Sequence, residues 1–186
     1  MQDLIAVTIS AVLLGGLYAL IGIGLSIMVG IVKVVNLSHG VMVILASFIS
    51  LFVLQFFQVG TFYTLIAVLP AMFIIGFYIQ KFILNRVIDK GMTSILICTF
   101  GLSIIIENLL LHFFTADYRS LPSGLTQARV SLFDGYINFS QQYLMVFLVS
   151  TLIILLFYFL FQTTYMGWAI RATSDDEEIA QLMGVN

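Results

Sequence analysis

The chain has 186 residues, 61% hydrophobic and 9% charged, with a net charge of −2. Soluble domains carry roughly a quarter charged residues, so an ordinary water-exposed surface is excluded, and seven scattered basic residues supply no patch for nucleic acid. A single cysteine, Cys98, excludes an internal disulfide or a cysteine-based zinc framework.

Leu4–Val32, Val34–Gln80 (His39 apart) and Gly135–Ile170 contain no charge, and about 18 to 20 apolar residues suffice to cross a bilayer core. The first span is expected over about 4–30. Its start, MQDLIAVTIS, lacks a basic region and its apolar run is too long for a cleaved leader, so the span is expected to be retained. Ala11, Gly15, Ala19, Gly22, Ser26 and Gly30 recur at helical spacing. One face of small residues lets another backbone approach closely, either within this chain or from a neighbouring subunit.

The stretch VKVVNLSHG then places Lys33, Asn36, Ser38 and His39 between two apolar runs. Unpaired polar groups are costly in lipid, so these side chains need partners. Two readings stand: a turn at the inner water boundary, or a break between helices whose freed groups line a substrate path.

The second span is expected over about 41–57, closed by the turn residues of QVGT. The third, 62–80, contains Pro70, tolerable where neighbours re-satisfy the freed carbonyl. A basic connector, KFILNRVIDKGMT, leads to a fourth span over 94–114. Glu107 is the only acid inside a span, and lies about 20 Å along the helix from Ser94. Ionisable groups at such depth face a cavity or a partner; Ser103 lies four residues from it, and Asn108 and His112 lie four apart. A polar loop over 115–142 includes an Asn-Phe-Ser triplet at Asn138, read as loop, and the fifth span covers about 143–161.

Lysine and arginine favour cytoplasmic loops. Lys33, the basic connector and Arg171 all fall inside if the N-terminus lies outside. The polar segment 163–186 is then cytoplasmic. Ser174 and Glu177 form a capping box, which predicts a short amphipathic helix starting there, with Asp175, Asp176, Glu177 and Glu178 at its positive end. Interfacial helices usually carry basic residues, so this acidic one favours a protein partner. The fold class is all-α: a polytopic transmembrane bundle of about five spans, taken as a single transmembrane domain over 1–186.

Three collinear stretches carry a resemblance. GLYALIGIGLSIMVGIVKVVNLSHG, CTFGLSIIIENLLLHFFTADYRSLPSG and MGWAIRATSDDEEIAQLMGVN together resemble the branched-chain amino acid ABC transporter permeases. The resemblance implies an importer subunit of the cell (inner) membrane. Its partners would be a second permease subunit, two ATP-binding subunits that hold ATP and Mg, and an extracytoplasmic substrate-binding protein. The cargo would be branched-chain or related amino acids, with urea or amides as the variant. It also implies a substrate path past Asn36, Ser38, His39, Gly40, Glu107 and Asn108. An ATPase-coupling segment would use Gly167, Arg171, Ala172, Asp176, Glu177, Ala180 and Gly184.

Departures from the family pattern are Trp168, where arginine is commoner, Glu107, where glutamine is commoner, and the run Asp175 to Glu178. Family members also continue beyond the position of Asn186, so an incomplete permease is expected. No phosphate-cradling loop and no protease or esterase motif occurs, so neither ATP hydrolysis nor other enzymatic chemistry is expected in this chain, nor a cofactor or metal of its own. An ion- or proton-coupled carrier using Glu107 and His39 is the alternative, and a non-transporting scaffold a third.

Overall fold

The computed structural model describes residues 2–33, 35–115, 129–132, 137–175 and 180. Among them, five helical segments are long and apolar enough to cross a membrane: Leu4–Gly30, His39–Phe57, Thr61–Lys90, Met92–Phe114 and Gln141–Thr163. A long apolar helical segment covers each stretch expected as a span. The third runs furthest past its expected end, because the connector coils into 3-10 turns at Leu84–Arg86 and Ile88–Lys90. There Gln80 Nε2 donates to Asn85 Oδ1 at 2.9 Å.

The chain forms two compact units, Met1–Lys33 with Gly124–Asn186, and Val34–Ser123. In the first, α1 (Gln2–Ile27) passes into a π-helical turn at Met28–Val32. Two short strands, β1 (Arg129–Leu132) and β2 (Ile137–Ser140), pair antiparallel with Arg129 opposite Ser140. The Asn138 triplet, expected as loop, therefore lies in a strand of this hairpin. Helices α5 (Gln141–Thr163) and α6 (Tyr165–Asp175) follow.

Helix α1 packs on α5, where the buried Gly16 faces Phe147, and Leu13 of α1 is buried as well. A Cβ at Gly16 would lie 2.7 Å from Phe147 Cδ2 and 3.3 Å from its Cα, so a larger residue there would require the Phe147 ring to shift. The small-residue face read from the sequence is a different one. Gly15, Gly22 and Gly30 are exposed, and a Cβ on any of them meets nothing within 4 Å among the described residues. Adjacent glycines on a helix point about 100° apart, so periodicity alone selected the wrong member of the Gly15–Gly16 pair for this contact.

The second unit contains α2 (His39–Phe57), α3 (Thr64–Phe82) and α4 (Met92–Phe114). Ile95, Thr99, Leu102, Ile106 and Leu110 are the buried residues of α4. Steps of four, three, four and four place them on one face. Leu102, Ile106 and Leu110 pack with Val41, Met42, Leu45 and Phe48 of α2 and with Ile79 and Phe114. The Phe48 and Phe114 rings meet at 4.6 Å. Polar groups are satisfied inside the unit as well: Thr64 Oγ1 donates to Thr61 O at 2.6 Å and lies 2.7 Å from Ser50 Oγ, joining α3 to α2.

Candidate functional site

The residues between the π turn and α2 form a polar turn. Lys33 is exposed and left-handed, with φ 54°, which ends the helical run. Asn36 and Ser38 are buried. Asn36 Oδ1 accepts the Ser38 N–H at 2.9 Å and the Ser38 hydroxyl at 2.6 Å. Asn36 O accepts the His39 N–H and Ser38 O accepts the Met42 N–H, so this small closed network also starts α2. Leu37 N–H donates to Thr99 Oγ1 at 3.2 Å, and that hydroxyl donates to Leu96 O.

Thr99 thus fixes the turn to α4, a role the sequence reading missed. Its spacing from Ile95 and Leu102 was the available signal. His39 Nε2 is buried and has no hydrogen-bond partner among the described residues. Gly40 is exposed.

Glu107 and Asn108 do not join that cluster. They follow Thr99 by two turns and more of α4, about 12 Å of rise. Asn108 Nδ2 donates to Ile104 O at 2.8 Å instead of meeting His112, whose ring stands edge-on to Phe113. Glu107 is exposed and borders a half-open groove of about 190 Å³, lined otherwise by Val41, Ile44 and Phe48 of α2 and by Leu110, Leu111 and Thr115. No group of three or more potential metal-ligating side chains occurs among the described residues.

At the end of the fifth span the chain turns a corner on one residue. Thr164 is extended, φ −98° and ψ 152°; its hydroxyl donates to Leu160 O at 2.5 Å and accepts the Gly167 N–H at 3.2 Å. This satisfies an amide of the first turn of α6, as an N-cap does. A helix thus begins at Tyr165, ahead of the Ser174 cap expected from the sequence, and the helix expected beyond Asp175 lies, Ala180 apart, outside the described residues. Ser174 sits within α6, and its hydroxyl donates to Gly30 O at 2.5 Å, which ties α6 to the π turn. Thr164 was missed because it sits in the polar stretch Gln162-Thr163-Thr164 just past the expected end of the span, with no acidic or amide residue three positions on.

Gly167 is buried, and a Cβ there would overlap the Phe161 carbonyl oxygen and lie 2.6 Å from Phe161 Cα. Arg171 and Ala172 are exposed, with the Arg171 guanidinium 5.3 Å from the Trp168 ring. Ala180 is buried. Asp176, Glu177 and Gly184 lie outside the described residues.

Residues 7–186 match the family described as "Branched-chain amino acid transport system / permease component". The high-affinity branched-chain amino acid transport system permease proteins LivH of Salmonella typhimurium and of Escherichia coli are each 28% identical to this chain, over 95% of it and 61% of their own length. BraD of Pseudomonas aeruginosa, of the same description, is 24% identical over 96% of this chain and 61% of its own length. The chain thus spans 61% of the curated relatives it matches. No solved structure matches.

Proposed function

We propose, from the premise that this chain belongs to the branched-chain amino acid transport permease family, that it is a membrane-spanning subunit of an ABC-type importer moving branched-chain or related amino acids. The observation that carries the reading is the family match over 7–186 in a multi-pass membrane chain whose five long apolar segments accommodate it throughout. The relatives are named for high-affinity branched-chain amino acid transport.

In this reading residues 1–186 act as one permease domain with an outside N-terminus. A second permease subunit shares the path, two ATP-binding subunits supply the energy, and an extracytoplasmic binding protein delivers the cargo. ATP and Mg belong to those partners. The path runs past Asn36, Ser38, His39, Gly40, Glu107 and Asn108. The unpartnered His39 Nε2 and the Glu107 groove support it, since an orphaned buried polar atom calls for a water or a ligand.

The segment 163–186, with Gly167, Arg171, Ala172, Asp176, Glu177, Ala180 and Gly184, meets the ATPase on the cytoplasmic side. Motion of α6 then reaches α5 through the Gly167–Phe161 contact and the end of α1 through Ser174 and Gly30. Alternating access needs rigid connections of this kind, because a soft joint would absorb the displacement.

The test is uptake of labelled leucine by proteoliposomes holding this chain with its partner subunits. Uptake is expected only when ATP and the ATP-binding subunits are present. Uptake driven by an ion gradient without them overturns the reading in favour of a secondary carrier, and preference for urea or amides over leucine overturns the cargo assignment.

A further inference from the structure

We infer that α6 lies in the membrane–water interface beside the end of α5, with Tyr165 and Trp168 at headgroup level and Arg171 on an anionic lipid phosphate. The helix has two unlike faces. Gly167 and Ser174, seven residues apart, share the packed one: Gly167 lies against the Phe161 backbone, and Ser174 bonds to Gly30 O. Tyr165, Trp168 and Ala172, at steps of three and four, share the other. Tyr165 is 76% exposed and Trp168 64%. Both aromatic rings of the helix therefore stand on the face that the described residues leave open.

Three observations make lipid the cover of that face. The first is position. The spanning segment ends at Thr163 and α6 starts at Tyr165, and tryptophan and tyrosine at the ends of spans settle at headgroup level, apolar ring inward and polar edge to water. The second is continuity. Leu155, Leu156, Tyr158 and Phe159 of α5 are exposed, so apolar surface inside the membrane leads directly to the corner from which the two rings project.

The third is charge. Arg171 is the one charged residue from Tyr165 to Ser174. Its guanidinium lies 5.3 Å from the Trp168 ring and reaches Gln162 Oε1 at 3.5 Å, while no carboxylate of a described residue pairs with it. Contact with the ring holds the charge at the ring's depth, and a guanidinium matches the oxygens of a phosphate two at a time. Helices that lie on anionic membranes join an apolar face to basic residues in this way. A soluble partner would have to reach into the headgroup layer to cover rings so close to the end of a span, whereas lipid is already there.

The inference needs the membrane span alone and neither the cargo nor the direction of transport. Within the segment given above to the ATPase, it turns Arg171 to lipid and leaves the acidic residues beyond it to that partner.

Trp168 is the chain's one tryptophan, so its fluorescence reports on this face without any substitution. The full chain is placed in nanodiscs of phosphatidylcholine, or of equal parts phosphatidylcholine and phosphatidylglycerol. The acyl chains carry bromine either near the glycerol or near the terminal methyl. Emission is expected to be shifted to the blue of free tryptophan, to be quenched more by bromine near the glycerol, and to be quenched more in the anionic discs. Arg171→Gln is expected to abolish the extra quenching in anionic discs, and Arg171→Lys to keep most of it. High salt is expected to shrink that difference, because it screens exposed charge.

Unshifted emission without bromolipid quenching overturns the proposal by putting the face in water. Stronger quenching by bromine at the terminal methyl overturns it by putting the ring in the hydrocarbon core. Equal quenching in the two kinds of disc, or indifference to Arg171→Gln, overturns the phosphate contact. Water-like emission that shifts only when the ATP-binding subunits are added gives the face to that protein instead. Uptake is no part of the readout, so a water-exposed Trp168 leaves the permease reading standing, and absent ATP-driven uptake leaves the interfacial placement standing.

Discussion

The turn at residues 33–39 and the corner at 163–167 both interrupt helical runs, and they are held by opposite means. The turn is closed by polar bonds: Asn36 Oδ1 takes two donors from Ser38, and Thr99 takes the Leu37 amide. The corner is closed by shape, with the α6 backbone at Gly167 lying against the α5 backbone at Phe161 and one hydroxyl, that of Thr164, as clasp. A hydrogen-bonded joint tolerates adjustment at modest cost, because its bonds in a membrane protein contribute on the order of 0.6 kcal/mol each. A backbone contact with no side-chain space has no such latitude, since close-packed interiors transmit strain. The joint suited to passing on a push is therefore the corner, and the turn is the joint suited to rearranging.

That contrast can be broken most forcefully at Gly167. Gly167→Leu forces a side chain into the Phe161 backbone and is expected to destabilise the protein by about 4 kcal/mol or more, in the exceptional class of point mutations. The readout is the thermal midpoint and monodispersity in detergent, with Ala172→Leu, on the exposed face, as the silent comparator. A well-folded Gly167→Leu protein would mean that the corner is not sterically locked.

Asn36→Leu comes next, leaving the buried amide and hydroxyl of Ser38 without their acceptor, at a cost of about 1–3 kcal/mol. Faster hydrogen exchange of the Ser38 amide, with the exchange of α6 unchanged, is the expected signature. The smallest effect belongs to Thr164→Ala, which removes the clasp but not the contact. Loss of a helix N-cap costs about 1 kcal/mol, and fraying confined to the first turn of α6 is expected by exchange. A loss as large as that of Gly167→Leu would make the corner a hydrogen-bonded joint like the turn, and erase the distinction.

The spans were legible because each is a long apolar run, uncharged but for Glu107, and in a bilayer core without water backbone groups are satisfied only by helix or barrel formation. The packed face of α4 was equally legible in principle, since Ile95, Thr99, Leu102, Ile106 and Leu110 follow helical spacing. The candidate site was legible only in part. Asn36, Ser38 and His39 stood out as polar residues in an apolar context, yet nothing in the local sequence says that Asn36 bonds to Ser38 while Thr99, some sixty positions on, closes the turn. Likewise Ser103, Asn108 and His112 shared suitable spacing with their neighbours, but Asn108 bonds to the backbone of its own helix, which is the nearer acceptor.

Composition and periodicity by themselves determined that this is a predominantly helical membrane protein with five long apolar segments, because hydrophobic length and scarcity of charge are local properties of a chain. Only the tertiary structure decided which glycines matter and where α6 begins. Gly167 is required by the Phe161 backbone that faces it and Gly16 lies against the Phe147 ring, whereas Gly15, Gly22 and Gly30 meet nothing within 4 Å among the described residues. The start of α6 is set at Thr164, and Ser174 reaches across to Gly30. For Gly16 with Phe147 and Ser174 with Gly30 no window along the chain contains both sides of the contact, whereas Phe161, Thr164 and Gly167 are near in sequence and meet only because the backbone turns between them.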